Sequence, residues 1–239
     1  MISVRQSAAA PARGRLLAMV AAALLSVSCG VSNQVPRTRE SLYPAMYEEK
    51  PLVLLVMPPI NNTTNVDAKD LLYTSISRPL ADAGYYVISP LLALDVLKAE
   101  SAYDAELFEN ASLAPFRKYF GADAVVFSQI DSWEKGGLGI STKIRYFIRS
   151  AITGEVLFDR TCDLFLDCSV SSNSNTVIGL LVDLAASAIS TALTDHIEAA
   201  RMANHYIFED IPRGKYNPEY QQDRSVLADE PCVTASVTK

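Results

Sequence analysis

Apolar and polar positions along the chain follow two different periods, and the switches between them divide it into elements. The run LVLLVM at 52–57 is apolar on both faces, which predicts a central strand covered on each side. Pro58 and Pro59 predict its end, because each removes a backbone donor. After the cluster Asn61, Asn62, Thr63, Thr64, Asn65, apolar residues recur at Val66, Leu71, Leu72, Ile76 and Leu80, the spacing of one helical face, and Gly84 supplies a stop. A second strand is expected over 85–89, a short helix opened by Pro90 to about Lys98, helical pieces broken near Pro115 and closed at Gly121, and a third strand over 124–130.

The clearest alternation follows. Ile140, Thr142, Ile144, Tyr146 and Ile148 fall on one face, and Ser141, Lys143, Arg145 and Arg149 on the other. A fifth strand sets Val156, Phe158, Cys162, Leu164 and Leu166 inward and Glu155, Asp159, Asp163 and Asp167 outward, so its acidic face should pair with the basic face of its neighbour. A long helix is expected over about 174–206. Its stretch 176–193 carries one charge, Asp183, and has the length of a membrane span. A central Asp costs about 3 kcal/mol on insertion scales and the Ala and Ser content suits close packing, which favours a helix buried on the sheet. Right-handed crossovers make the first three strands parallel neighbours with a hairpin-connected pair at one side. The fold class is therefore α/β: a single domain with a mixed five-stranded sheet, part parallel and part C-terminal antiparallel meander, packed by helices.

Charge changes the picture at the N-terminus. The net charge of the 239 residues is −6, yet Arg5, Arg13 and Arg15 stand without acidic counterparts in the first 28, leaving −9 on the remainder. Such a chain is not built to hold nucleic-acid phosphates. The arginines lead into LLAMVAAALLSVS, an apolar stretch of signal-peptide length, and then a cysteine. Leu25-Ser26-Val27-Ser28-Cys29 resembles the lipobox of bacterial lipoproteins, with Ser26 where that motif most often has Leu. The resemblance implies cleavage before Cys29 and a lipid on its thiol, and Gly30, in place of the Asp that retains lipoproteins at the inner membrane, implies the outer membrane. The organisation expected is a signal peptide at 1–28, lipidated Cys29 and a flexible tether at 29–50, a periplasmic domain at 51–210 and an irregular tail at 211–239. The remaining cysteines are Cys162, Cys168 and Cys232; six residues of strand hold the first two about 20 Å apart, so only Cys232 could reach either.

Candidate chemistry is sparse. No phosphate-loop motif occurs, and Gly136, Gly137 and Gly139 lie between two strands, where they serve a hairpin. No G-x-S-x-G elbow is present. His196 and His205 are nine residues apart on a helix, 2.5 turns, and so face opposite ways. Asp67 and Asp70 fall at a helix start, where the dipole favours them. Neither catalytic residues, metal ligands nor a cofactor site is expected. The interaction loop to consider is Asn61 to Asn65, which opens at the carboxyl end of a parallel strand, the edge at which α/β sheets commonly bind ligands; turn and cap hydrogen bonding is the competing role for its side chains.

With the lipobox, LVLLVMPPINNTTNVDAKD, DAVVFSQIDSW, the alternating hairpin and DIPRGKYNPEY, the chain resembles the neisserial-type outer-membrane lipoprotein family of unassigned activity. More distantly it is similar to the TolB amino-terminal domain, curli-secretion lipoproteins and lipoprotein activators of peptidoglycan synthases. The resemblance implies a non-enzymatic lipoprotein, anchored in the membrane by its lipid and facing the periplasm or the surface, with protein partners in a secretion, transport or surface-assembly system. The alternatives are activation of a peptidoglycan synthase or cell-wall binding, and a small-molecule-binding or hydrolytic domain using the Asn61 to Thr64 loop. The sequence leaves oligomerisation open.

Overall fold

A computed structural model describes residues 37–136, 139–168 and 180–238, with side chains of the long helix described from Asp195 onward. Cys29, the leader and the central part of the Gly136 to Gly139 turn lie outside the described residues, as do the side chains of 176–193.

The sheet grows from β1 (Val53–Val56), whose residues are buried to both sides: Leu54 and Val56 enter one core, Leu55 the other. β3 (Tyr86–Val87) and β4 (Ala124–Gly136) flank β1 in parallel; β5 (Gly139–Ser150) and β6 (Val156–Asp167) continue as an antiparallel meander. This is the expected mixed α/β domain, but with seven strands among the described residues rather than five. One addition is β2 (Ile60–Asn61), which resumes pairing with β4 immediately after the two prolines. Pro58 and Pro59 therefore interrupt the strand instead of ending it: Met57 N–H still donates to Val126 O at 2.9 Å and Asn62 N–H to Ile130 O at 3.0 Å. The other is β7 (Cys232–Thr238), parallel to β6 at the sheet edge.

Helices cover the two faces unequally. On one side lie α1 (Arg39–Leu42), α2 (Pro44–Glu49), α3 (Asp67–Ser75), α4 (Ser77–Asp82) and α7 (Leu180–Glu209); on the other α5 (Pro90–Ala99), a 3-10 turn (Ala105–Phe108) and α6 (Ala114–Phe120). The helix expected across 66–83 is two, because Pro79 cannot donate to the turn before it. Gly121 closes α6 in the left-handed region, φ +68°, as expected. Among the described residues no helix is long and apolar enough to cross a membrane.

Two bulges decide which side chains face inward. A register shift between Ile130 and Ser132 places Asp131 as the extra residue, so that Ile130 and Trp133 enter the same core. A second, opposite Ile148 and Arg149, makes Leu157 and Phe158 both buried and leaves Val156 exposed, contrary to its expected inward place. The expected face of β5 is otherwise buried from Ile140 to Ile148, and Phe147 is buried on the reverse face, stacked on Phe127 with centroids 4.9 Å apart. The paired charges of the outer face are found: Arg145 Nε and Nη2 reach the two Asp159 oxygens at 3.0 and 2.5 Å.

Both ends of the domain lie outside their expected bounds. The compact unit begins at Arg37, not Pro51. Tyr43, Met46 and Tyr47, spaced as one helical face, are buried, and Tyr43 packs on Phe158 with ring centroids 4.7 Å apart. Burying each apolar side chain of this size contributes about 2 kcal/mol toward holding the two short helices in place. The tail, irregular up to Pro231 and then β7, also packs on the domain. Thr38 bridges Leu227, Gly84 (φ +96°) packs so closely on Gly214 and Asn217 that a Cβ there would lie 2.4 Å from Asn217 N, and Val233, Ala235 and Val237 alternate onto the main core.

Candidate functional site

The loop at the end of β2 is closed by its own side chains. Asn61 Nδ2 donates to Asn65 O at 2.8 Å, while Asn61 Oδ1 accepts from Thr63 N–H and Oγ1 at 3.1 and 2.8 Å. Thr63 Oγ1 accepts from Asn65 N–H at 3.2 Å, and Asn65 Oδ1 accepts from Ala68 N–H in the first turn of α3 at 3.1 Å. Asn62 is exposed, with Nδ2 3.2 Å from Asp131 Oδ1 on the β4 bulge, and Thr64 is exposed. These are nested Asx and Ser/Thr turns that lead the chain from strand to helix.

The two histidines are separated as their spacing implies. Trp133 Nε1 donates to His196 Nδ1 at 2.8 Å, which puts the ring proton of neutral His196 on Nε2. Burial lowers the His196 pKa, and Lys135 adds to this; Asp195 and Asp67 oppose it. His205 sits elsewhere, in a groove of about 530 Å³ between α4, α7 and the tail, beside Asp82, Glu209, Arg213 and Glu219. Among the described residues no group of three or more His, Cys, Asp or Glu side chains is placed to hold a metal ion. Cys162 is buried, its thiol pushed up to about 12 by desolvation, and Cys232 lies opposite Thr161 on the other face of the sheet; both are free thiols.

The densest set of buried charges among the described residues was not expected from the sequence. Arg39 Nε lies 3.0 Å from Asp210 Oδ1 and its Nη1 3.3 Å from Asp223 Oδ2; Arg160 Nη1 lies 3.3 Å from Asp210 Oδ2. All four side chains are buried, joining α1, β6, the end of α7 and the tail. Burial raises the Asp210 pKa even against the two guanidinium groups. The signal was legible at one place: position 160 falls in the inward row of β6 between Phe158 and Cys162, and an Arg there demands a buried partner. The cluster ties these segments together.

What the surface offers instead is an apolar concavity. Val96, Leu97, Phe108, Phe116, Tyr119 and Phe120 line a groove of about 330 Å³ between α5, the 3-10 turn and α6. Leu92, one helical turn before Val96 on α5, is 67% exposed and Tyr119 75%. Apolar side chains of this size clustered on one face are characteristic of contact surfaces.

The chain matches the GNA1162-like lipoprotein family over residues 42–213. It is 27% identical over 187 residues to lipoprotein NMB1124/NMB1162 of Neisseria meningitidis serogroup B, covering 75% of this chain and 83% of that one. Among solved structures it is similar to lipoprotein GNA1162 from Neisseria meningitidis, with 23% identity, TM-score 0.44, and 60% and 99% of the two chains covered. It is also similar to the PelC dodecamer from Paraburkholderia phytofirmans, with 13% identity, TM-score 0.39, and 68% and 90% covered. The match over most of its length shows that this chain belongs to the GNA1162-like lipoprotein family.

Proposed function

We propose that the protein is a non-enzymatic lipoprotein of the outer membrane, anchored through Cys29, that serves as an accessory component of an envelope secretion, transport or surface-assembly system. The observation that carries this reading is the contrast between two surfaces. The loop from Asn61 to Asn65 spends most of its hydrogen bonds on itself and on the start of α3, whereas the α5 and α6 side presents an apolar groove, with Leu92 and Tyr119 exposed on the same two helices. The partner is a protein that buries an apolar segment in that groove.

Chain length bears on where that partner stands. Eight peptide steps separate Cys29 from Arg37, the start of the compact unit, and at full extension they span at most about 28 Å. Such a leash favours a partner at the membrane that holds the lipid over the alternative of a synthase reached across the cell wall.

The test is a photo-crosslinking amino acid at Leu92 in the lipidated protein in cells. An adduct with an outer-membrane envelope component, lost in a Val96→Asp variant, supports the reading. An adduct with a peptidoglycan synthase would replace it with the second one, and adducts formed only from position 62 would return attention to the loop. Cys29→Ala should release the protein in soluble form.

A further inference from the structure

We propose that the exposed apolar pair Val226 and Leu227 rests on the lipid surface and sets the orientation of the domain on the membrane. This rests on the reading of Cys29 as the anchor. Arg37 and Arg39 run antiparallel to the segment that carries the pair: Arg39 N–H donates to Val226 O at 2.9 Å, Ala228 N–H donates to Arg37 O at 2.8 Å, and Thr38 bridges Leu227. The chain thus leaves toward Cys29 directly beside Leu227, which is 66% exposed. A leash of at most about 28 Å keeps this corner within about that distance of the bilayer whatever path it follows.

The rim of the corner suits a lipid surface. Most of its charges are paired: Arg37 Nη1 meets Glu230 Oε2 at 2.8 Å, and Arg224 is paired with Glu40, while Asp229 is exposed without an ion pair among the described residues. Once 1–28 is removed the chain carries −9, and these pairs offset part of that charge where it would meet phosphate headgroups. An apolar pair whose rim is largely charge-compensated enters the interface by burial of apolar area, a contact that salt weakens little. The groove on α5 and α6 lies on the opposite side of the sheet from α1 and α2, so this orientation leaves it open to a partner.

The full-length lipidated protein, carrying dansylalanine at position 227 or at position 92, is reconstituted in phosphatidylcholine vesicles containing brominated chains. Quenching several-fold stronger at 227 than at 92, unchanged by added salt, is the expected result. Leu227→Asp with the probe at 226 should lose the quenching while the protein still floats with the vesicles. Equal quenching at 227 and 92 in protein that floats would overturn the proposed surface and leave the anchor standing. Protein that fails to float would overturn the anchor and the surface with it.

Discussion

The indole N–H of Trp133 on β4 donates to Nδ1 of His196 on α7 at 2.8 Å, fixing the long helix to the sheet through one neutral imidazole. Protonation of Nδ1 removes the acceptor, and the site already disfavours the charge, since burial and Lys135 hold the His196 pKa below its ordinary value. An unfolded chain therefore binds this proton more readily than the folded one. The stabilisation is fully present above the unfolded value, about 6.5, and declines as pH falls from there to the depressed folded value. Trp133 is the only tryptophan, so its emission reports the event directly. Acid titration should change Trp133 emission below pH 6.5, and a His196→Gln variant should lose both that change and the stability slope across the same interval.

Removing the shared carboxylate of the buried cluster should be far more costly than removing a surface charge. Asp210 faces both Arg39 and Arg160, and Asp210→Ala leaves two buried guanidinium groups short of a partner. Breaking a buried pair from one side costs about 3–5 kcal/mol. By contrast Asp82→Ala, at an exposed pair with Arg78, should shift stability by less than about 0.5 kcal/mol. Urea unfolding of the two variants separates these outcomes, and equal small losses would show that the cluster is not under the burial described.

The loop that follows the two prolines makes a similarly local prediction. Asn65 Oδ1 receives Ala68 N–H in the first turn of α3, so Asn65→Ala should cost about 1 kcal/mol, the usual loss for a helix start deprived of its side-chain acceptor. Thr64→Ala, at an exposed position, should stay within about 0.5 kcal/mol. Chemical denaturation midpoints at unchanged m-value would give both numbers.

How far the sequence discloses this molecule depends on the range of the interaction concerned. Period-two alternation made β5 readable from Ile140 to Ile148, and the run of apolar residues made β1 readable, because burial on one or both faces leaves a local pattern. Bulges leave none. Trp133 turns inward only because Asp131 is the extra residue, and Val156 turns outward only because Leu157 is. Polar segments were the harder case. The residues from Arg37 to Lys50 and from Ile211 to Thr238 look solvated by composition, yet each supplies what the other lacks: Arg39 meets Asp210 and Asp223, and Thr38 meets Leu227. Partners more than 170 residues apart in the chain cannot be matched by periodicity. At the loop of Asn61 to Asn65 the residue types announced turn and cap chemistry, and the hydrogen bonds follow it, since such contacts span only two to four residues.

The domain boundary gives the last prediction. A fragment beginning at Pro51 contains every strand of the sheet but lacks Tyr43, Met46 and Tyr47, whose burial covers Phe158 and the adjoining core. It also lacks Arg39, so Asp223 loses its guanidinium partner and Asp210 keeps only Arg160. The apolar loss alone is about 2 kcal/mol for each large side chain, and the unpaired buried carboxylate adds a penalty of the same order or greater. Domains of this size hold only about 5–15 kcal/mol in total, so the deletion removes a large part of the margin. A fragment beginning at Arg37 should unfold cooperatively with a melting temperature close to that of the full chain. The fragment from Pro51 should melt far lower or lose its near-ultraviolet circular dichroism, with Trp133 as the reporter. Equal melting of the two fragments would place the functional start of the domain at Pro51 and lengthen the leash from Cys29 accordingly.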